Sequence, residues 1–137
     1  MCAENLRAAN FIDTPHGKRH RWTSIYYMLQ QGERSCFHRL RADELWAHHM
    51  GSAFTIYRIE GGMLHAHRLG NDLLSDELPQ VLVPAGTVFA ATVDGPWGLC
   101  GCVSSPSFHD DDLTLLTRSD LGEVQGDNTL IDFLCHP

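Results

Sequence analysis

A histidine and a glutamate six positions apart, His38 and Glu44, are the side chains in this sequence best suited to do chemistry. An imidazole changes its charge near neutral pH, and the environment of a carboxyl can tune its pKa, so such a pair can transfer protons. The imidazole nitrogens and carboxylate oxygens are also ligands that Fe, Mn, Ni or Zn accept. The pair therefore raises two alternatives, which are acid–base chemistry on an organic molecule and metal binding.

Other clusters of polar side chains are weaker candidates. His65 and His67 share one face of a predicted strand, which we interpret as the exposed face of a hairpin rather than a metal site. The acidic run Asp110–Asp112 is interpreted as a solvated strand end. The five cysteines are an odd number without regular spacing and do not predict a disulfide framework.

Composition limits the classes of protein that this chain can belong to. Its 137 residues suit one domain, and a hydrophobic fraction of 43% with 20% charged residues is typical of a folded globular protein. The formal charge of -7 argues against a nucleic-acid partner, which would favour a basic excess. No signal-like or membrane-spanning segment is visible, so we expect a cytoplasmic protein without a membrane partner.

Short strands are the elements that must position these side chains. Runs rich in aromatic and β-branched residues predict strands over 22–29, 35–40, 44–50, 53–59, 63–69, 80–83, 88–93 and 97–104. Glycine and proline turns separate them, including Glu60-Gly61-Gly62, and a short helix is predicted around 130–134. We divide the chain into an N-terminal arm (1–20) with a short edge strand near 10–13, a barrel (21–118) and a C-terminal tail (119–137).

Many short strands and no long amphipathic helix predict an all-β sandwich or barrel. An immunoglobulin-like sandwich lacks its Cys–Trp–Cys spacing here, and a lipocalin would have a more regular up-and-down meander. The segment from Gly32 to Gly51 then narrows the choice. It resembles the first signature of the cupin superfamily, which reads Gly, five residues, His, one residue, His, three or four residues, Glu, six residues, Gly.

Gly32, His38, Glu44 and Gly51 have the spacing of that signature, and Leu40 stands in the place of its second His. The segment over 80–89 resembles the second cupin signature, Pro-x-Gly-x-x-His. Pro84 and Gly86 match this signature, and Phe89 stands in the place of its His.

A more detailed resemblance, over about residues 10–116, is to a small single-domain cupin family often called cupin family five. The chain has the following residues of that family's pattern in order: Thr23, Ile25, Tyr26, Leu29, Gly32, Glu33, Ser35, His38, Arg39, Asp43, Glu44, Trp46, Pro79, Gln80, Val83, Pro84, Ala85, Gly86, Gly101, Cys102, Pro106, Phe108 and Asp112. It departs from the pattern where Ala47 replaces a His, Phe89 a Gln and Ser107 a Gly.

The resemblance implies a jelly-roll barrel of two antiparallel sheets with its site in the mouth of the barrel. It also implies four metal-ligand positions, of which His38 and Glu44 fill two. Leu40 and Phe89, at the other two, have no donor atom, so we expect no metal cofactor. His48 is a candidate replacement ligand because it shares a strand face with Glu44.

Some cupins that resemble this arrangement are metal-free sugar-nucleotide epimerases, and the resemblance therefore implies proton transfer at a carbon acid. In that hypothesis His38 is the base, Glu44 hydrogen-bonds to it and tunes it, and Tyr27 is the acid. The expected ligand-binding residues are Trp46, His48, Gln80 and Phe89.

The first functional hypothesis is thus a small-molecule-binding cupin, an isomerase or epimerase acting on a sugar-like or carboxylated substrate. The alternatives are a metal-dependent enzyme of the dioxygenase type and a non-enzymatic ligand-binding barrel. The sequence neither decides between catalysis and binding nor names the substrate. A homodimer is expected because the edges of an open jelly roll need covering, and the N-terminal arm can add a strand to a partner.

Overall fold

The computed structural model, which describes residues 1–137, contains twelve strands. Most of them are short runs rich in aromatic and β-branched residues, separated by glycine, proline or aspartate turns. One five-stranded sheet has the order β1 (Cys2–Arg7), β4 (Thr23–Gln30), β11 (Trp97–Ser105), β6 (Asp43–Gly51) and β9 (Gln80–Val83). The other has the order β12 (Leu113–Leu115), β5 (Arg34–Leu40), β10 (Val88–Val93), β7 (Phe54–Glu60) and β8 (Met63–Leu69). All strand pairs within these sheets are antiparallel.

Successive strands change sheets along most of the chain. β4, β6, β9 and β11 belong to the first sheet, while β5, β7, β10 and β12 belong to the second. This connectivity is that of a jelly roll and differs from the meander of a lipocalin. The predicted all-β jelly roll of two antiparallel sheets is therefore confirmed, although hydrogen bonds do not join the sheets into one closed barrel.

The core lies between the two sheets because strand residues alternate between the inner and outer faces. In β9, Val81 and Val83 are buried while Gln80 and Leu82 are exposed. The largest buried side chain is Trp46 of β6. The cluster around it also contains Leu29, Phe54, Ile56, Leu69, Val81, Val83, Phe89, Ala91, Cys100 and Cys102.

The predicted turn between β7 and β8 is a two-residue hairpin loop. Glu60 pairs with Met63, and the two residues between them, Gly61 and Gly62, have φ values of 59° and 75°. Positive φ at both central positions gives a turn whose twist matches that of the strands, and glycine adopts it at little steric cost.

The N-terminal segment contains more structure than the single edge strand predicted for it. β1 pairs with β4 at the edge of the first sheet, while β2 (Phe11–Thr14) and β3 (Gly17–His20) form a separate hairpin. Arg19 of this hairpin makes a buried two-pronged ion pair with Asp112, with Nε–Oδ2 at 2.8 Å and Nη2–Oδ1 at 3.1 Å. The interpretation of Asp112 as solvated was therefore wrong, because the hairpin covers it.

The C-terminal segment covers the outer face of the second sheet. It contains α1 (Arg118–Leu121) and α2 (Asn128–Leu134), and the second of these confirms the predicted helix. The Asp127 side chain caps α2 by accepting hydrogen bonds from two backbone N–H groups. Ile131 and Leu134 are fully buried against Phe37 of β5. No helix in the chain is both long and apolar enough to span a bilayer. The divisions at residues 20 and 118 stay predictions.

Candidate functional site

A cavity of about 300 Å³ opens between the two sheets. Strands β4, β5, β6 and β11 supply its walls, and the chain after β11 and the C-terminus supply its rim. It is lined by Tyr27, Arg34, Ser35, Cys36, His38, Leu40, Glu44, Trp46, Cys102, Phe108, Leu113, Leu115 and His136. This volume is at the lower end of the range for small-molecule sites, so the cavity suits a small organic ligand.

His38 projects from β5 into the cavity wall. Its Nδ1 lies 2.7 Å from the backbone carbonyl oxygen of Cys36. Because a carbonyl only accepts hydrogen bonds, Nδ1 carries the proton and donates it, which leaves a lone pair on Nε2 of the neutral ring. Burial lowers the pKa of His38, against the opposing effect of the Cys36 carbonyl. His38 is thus held as a neutral base with a fixed tautomer.

Glu44 projects from β6 into the same cavity and is 7% exposed. Burial raises its pKa from 4.5 to about 7, opposed by hydrogen bonding from Ser104 and by the Trp46 indole. The Ser104 hydroxyl donates to Oε2 at 3.2 Å. A carboxyl with this pKa is largely protonated at pH 6 and can donate a hydrogen bond.

His38 and Glu44 do not hydrogen-bond to each other, contrary to the expectation that Glu44 tunes His38 directly. Each has its own partner, the Cys36 carbonyl for His38 and the Ser104 hydroxyl for Glu44. The two groups are therefore positioned independently, and both face the same cavity.

Tyr27 and Trp46 form an aromatic part of the cavity wall, with ring centroids 5.7 Å apart. Burial raises the pKa of Tyr27 to about 12, so its phenol stays protonated and can donate a hydrogen bond. Trp46 is 2% exposed, and its buried indole N–H faces the Glu44 carboxyl without a hydrogen bond of ordinary geometry. The structure thus brings together four residues predicted for the site: His38, Glu44, Tyr27 and Trp46.

The other three residues predicted to bind ligand do not line this cavity. Phe89 is fully buried behind His38, with ring centroids 4.1 Å apart, so it supports the wall without forming its surface. His48 lies deeper along β6, where its Nε2 is 3.0 Å from the Ser52 carbonyl oxygen. Gln80 is exposed because Val81 and Val83 occupy the inward-facing positions of β9.

Sequence reasoning missed three polar residues of the cavity, Arg34, Ser35 and His136. Arg34 alternates in β5 with Cys36 and His38, so strand parity could have identified it. His136 follows α2, and no motif in the sequence connects it with the barrel. Its backbone N–H donates to the Leu116 carbonyl at 2.9 Å, which fixes the C-terminus beside the cavity.

The donor set does not fit the resident metal that many barrels of this kind hold. Leu40 lines the cavity and Phe89 lies behind it, and neither offers a ligand atom. Nowhere in residues 1–137 do three His, Cys, Asp or Glu side chains converge closely enough to hold a metal ion. Two donors leave a coordination geometry undefined, so these residues do not fit a resident metal ion.

A second cavity, of about 410 Å³, lies under the N-terminal hairpin. Its charged wall contains Arg19, Arg41 and Asp112. Arg19 and Arg41 both pair with Asp112, and Asp13 and His16 are the other titratable side chains of its lining.

Two facing antiparallel sheets whose strands alternate around an inward-facing His and Glu define a cupin-type jelly roll. The family model described as "Cupin superfamily (DUF985)" matches residues 2–116. The chain belongs to this family. A search of curated proteins gave no match.

Solved structures agree with this assignment. A protein from Shewanella oneidensis is 36% identical, with a TM-score of 0.88 over 99% of this chain and 86% of that one. A hypothetical protein from Leishmania major is 26% identical, with a TM-score of 0.89 over 99% of this chain and 89% of that one. A DMSP lyase from Ruegeria pomeroyi, 19% identical with a TM-score of 0.52 over 75% of this chain and 46% of that one, shares the fold alone.

Proposed function

We propose that this protein is a small-molecule-binding cupin that catalyses a metal-independent proton transfer, of the isomerase or epimerase type, on a sugar-like or carboxylated substrate. The observation that carries the proposal is that one small cavity contains three acid–base groups with displaced pKa values. The pKa of His38 is lowered, that of Glu44 is raised to about 7 and that of Tyr27 is raised to about 12. Groups whose environments push their pKa values apart are suited to separate acid and base roles.

In this proposal His38 is the base. Its Nε2 lone pair removes a proton from a carbon next to a substrate carbonyl, and the electron pair of the broken C–H bond moves into the enolate. The protonated Glu44 donates a hydrogen bond to the enolate oxygen, because a neutral carboxyl stabilises developing negative charge better than a carboxylate. The Tyr27 hydroxyl returns a proton to the carbon, and the proton on His38 later restores the phenol.

Trp46 supports substrate binding in this scheme. A wide apolar ring next to polar groups is a common wall for small organic ligands. The base, the acid and the aromatic wall together account for every predicted site residue that lines the cavity.

Exchange of substrate hydrogen for solvent deuterium tests the proposal. The protein is incubated in D2O with sugar-like and carboxylated carbon acids, and loss of a single C–H signal is followed by NMR. We expect loss with the wild type and none with His38→Gln, whose folding is checked by circular dichroism. If the loss of the C–H signal stops when a chelator removes metal, the metal-independent step is contradicted. If a compound binds but shows no exchange, the protein is a ligand-binding barrel and not an enzyme for that compound.

The proposal includes a homodimer and a cytoplasmic location. An exposed strand, β1, lies at the open edge of the first sheet, and large apolar side chains such as Leu6 and Tyr26 are exposed around it. Exposed edges and apolar patches of this kind favour pairing with another copy of the chain. We expect light scattering to give the mass of a dimer at micromolar concentration, and a clean monomer mass would contradict the dimer.

A further inference from the structure

Arg34, at the rim of the cavity, is a cation without an anionic partner. It lines the cavity from β5, yet it forms none of the ion pairs of the chain, and its Nε is buried without a hydrogen-bond partner. Lys18, Arg21 and Arg39 also form no ion pair, but they are exposed, whereas Arg34 is partly buried. A partly buried guanidinium loses hydration, and an anion that forms a two-pronged contact restores the lost interactions.

The C-terminal helix positions Arg34. The guanidinium carbon lies 4.7 Å from the centre of the Phe133 ring, in a cation–π contact that orients the planar group. The acidic neighbour Asp132 bonds to Arg118 at 2.9 Å. The helix therefore presents an aromatic surface to Arg34, while the one carboxylate within α2, that of Asp132, is paired with Arg118.

Arg34 lies apart from His38 along β5. Four positions along β5 separate Arg34 from His38, about 13 Å at the usual rise of a strand. The causes that set the pKa of Glu44 are burial, Ser104 and Trp46, and Arg34 is not among them. A guanidinium in contact with that carboxyl would lower its pKa. The cavity is thus polarised, with a fixed cation at its rim and a neutral carboxyl and imidazole inside.

We propose that Arg34, held by Phe133, binds the carboxylate of the substrate, so that the ligand is a small organic acid whose reacting carbon reaches His38. This inference rests on the proposed function for the identity of the reacting end.

The cation–π contact between Arg34 and Phe133 also makes the C-terminal tail a determinant of specificity. The family match ends at residue 116, and both Phe133 and His136 lie beyond it. The cavity volume of about 300 Å³ suits an acid of the size of a hexuronate better than a nucleotide-linked sugar.

Calorimetry with matched charged and neutral probes tests this inference. The pairs are glucuronate with glucose and lactate with lactamide, and inorganic phosphate is a third probe. We expect the wild type to bind at least one acid tenfold or more tighter than its neutral counterpart, in line with a charge-assisted contact. In Arg34→Gln that preference should fall to within about twofold, while affinity for the neutral probe is unchanged.

Three further variants separate the contact from general effects. Arg39→Gln removes an exposed arginine from the same strand and should leave the preference intact. Phe133→Leu should weaken acid binding but not neutral binding, since it disorders Arg34 without removing its charge. Arg34→Lys should recover only part of the preference because an ammonium cannot form the two-pronged contact.

Several results would overturn the inference. They are an undiminished preference in Arg34→Gln, an equal loss in Arg39→Gln, no binding of any acid, or binding of phosphate in place of the organic acids. The outcome is separable from that of the proposed function, because calorimetry detects binding alone. If an acid binds through Arg34 but undergoes no deuterium exchange, the proposed catalysis is contradicted and this inference stands. Deuterium exchange on neutral sugars that Arg34→Gln does not change would support the proposed catalysis and contradict the role of Arg34.

Discussion

Replacing Glu44 by glutamine, which keeps the shape of the side chain and removes its charge, should stabilise the protein at alkaline pH and much less at acid pH. Burial raises the pKa of this carboxyl from 4.5 to about 7 in the folded protein. Between these two values the folded protein retains a proton that the unfolded chain has released. The free energy of unfolding therefore falls as pH rises through this window, and the full stability is present only below it.

The magnitude follows from the size of the shift. One pKa unit corresponds to about 1.4 kcal/mol, so a carboxyl raised from 4.5 to about 7 destabilises the folded state by about 3 kcal/mol at pH 8. Roughly 1 kcal/mol of this is already lost at pH 5, where the unfolded carboxyl is mostly ionised. The advantage of Glu44→Gln over the wild type should thus grow by about 2 to 3 kcal/mol between pH 5 and pH 8.

Urea unfolding at the two pH values measures this difference. Glu123→Gln is the matched control, because Glu123 is exposed and makes no ion pair, and its effect should be the same at both values. An advantage of Glu44→Gln that does not change with pH would refute the reasoning. It would mean that the Glu44 carboxyl is ionised and hydrated in the folded protein.

Two further predictions concern the metal and the C-terminal helix. After dialysis against a mild chelator, elemental analysis should find less than one transition-metal ion per chain, because the cavity offers too few donors. A stoichiometric metal that disappears in both His38→Ala and Glu44→Ala would contradict this prediction. Leu134→Ala, at a fully buried position of α2, should lower the free energy of unfolding by about 2 to 4 kcal/mol in urea. A loss below about 0.5 kcal/mol, the usual scale of a surface substitution, would mean that the C-terminal helix is not packed on the sheet.

Strand alternation made much of the fold predictable from sequence. Alternation predicted that Glu44 and Trp46 share a face of β6, while the resemblance to cupins selected His38, Glu44 and Tyr27 for the site. Strand alternation has a limit, because it predicts which face of the sheet a residue occupies but not how far along the strand the cavity extends. His48 shares a face with Glu44, yet it lies past the cavity, 6.3 Å from the ring of Phe54.

The contacts that sequence reasoning missed join distant parts of the chain. The Arg34–Phe133 stack and the Arg19–Asp112 ion pair each connect residues more than ninety positions apart. Neither pair forms a periodic pattern, since one partner in each lies in a segment without alternation. Gln80 was misplaced for a different reason, because resemblance to a motif identified the residue while its strand turns it outward.

The pH dependence of deuterium exchange tests most directly whether a neutral His38 and a protonated Glu44 work together. The rate on an organic acid that binds should rise through a midpoint below 6.5, where His38 becomes neutral, and fall through about 7, where Glu44 ionises. Glu44→Gln should keep the acid limb and lose the alkaline one. A rate that stays constant from pH 6 to pH 8 in the wild type, or an alkaline limb that survives in Glu44→Gln, would contradict the account.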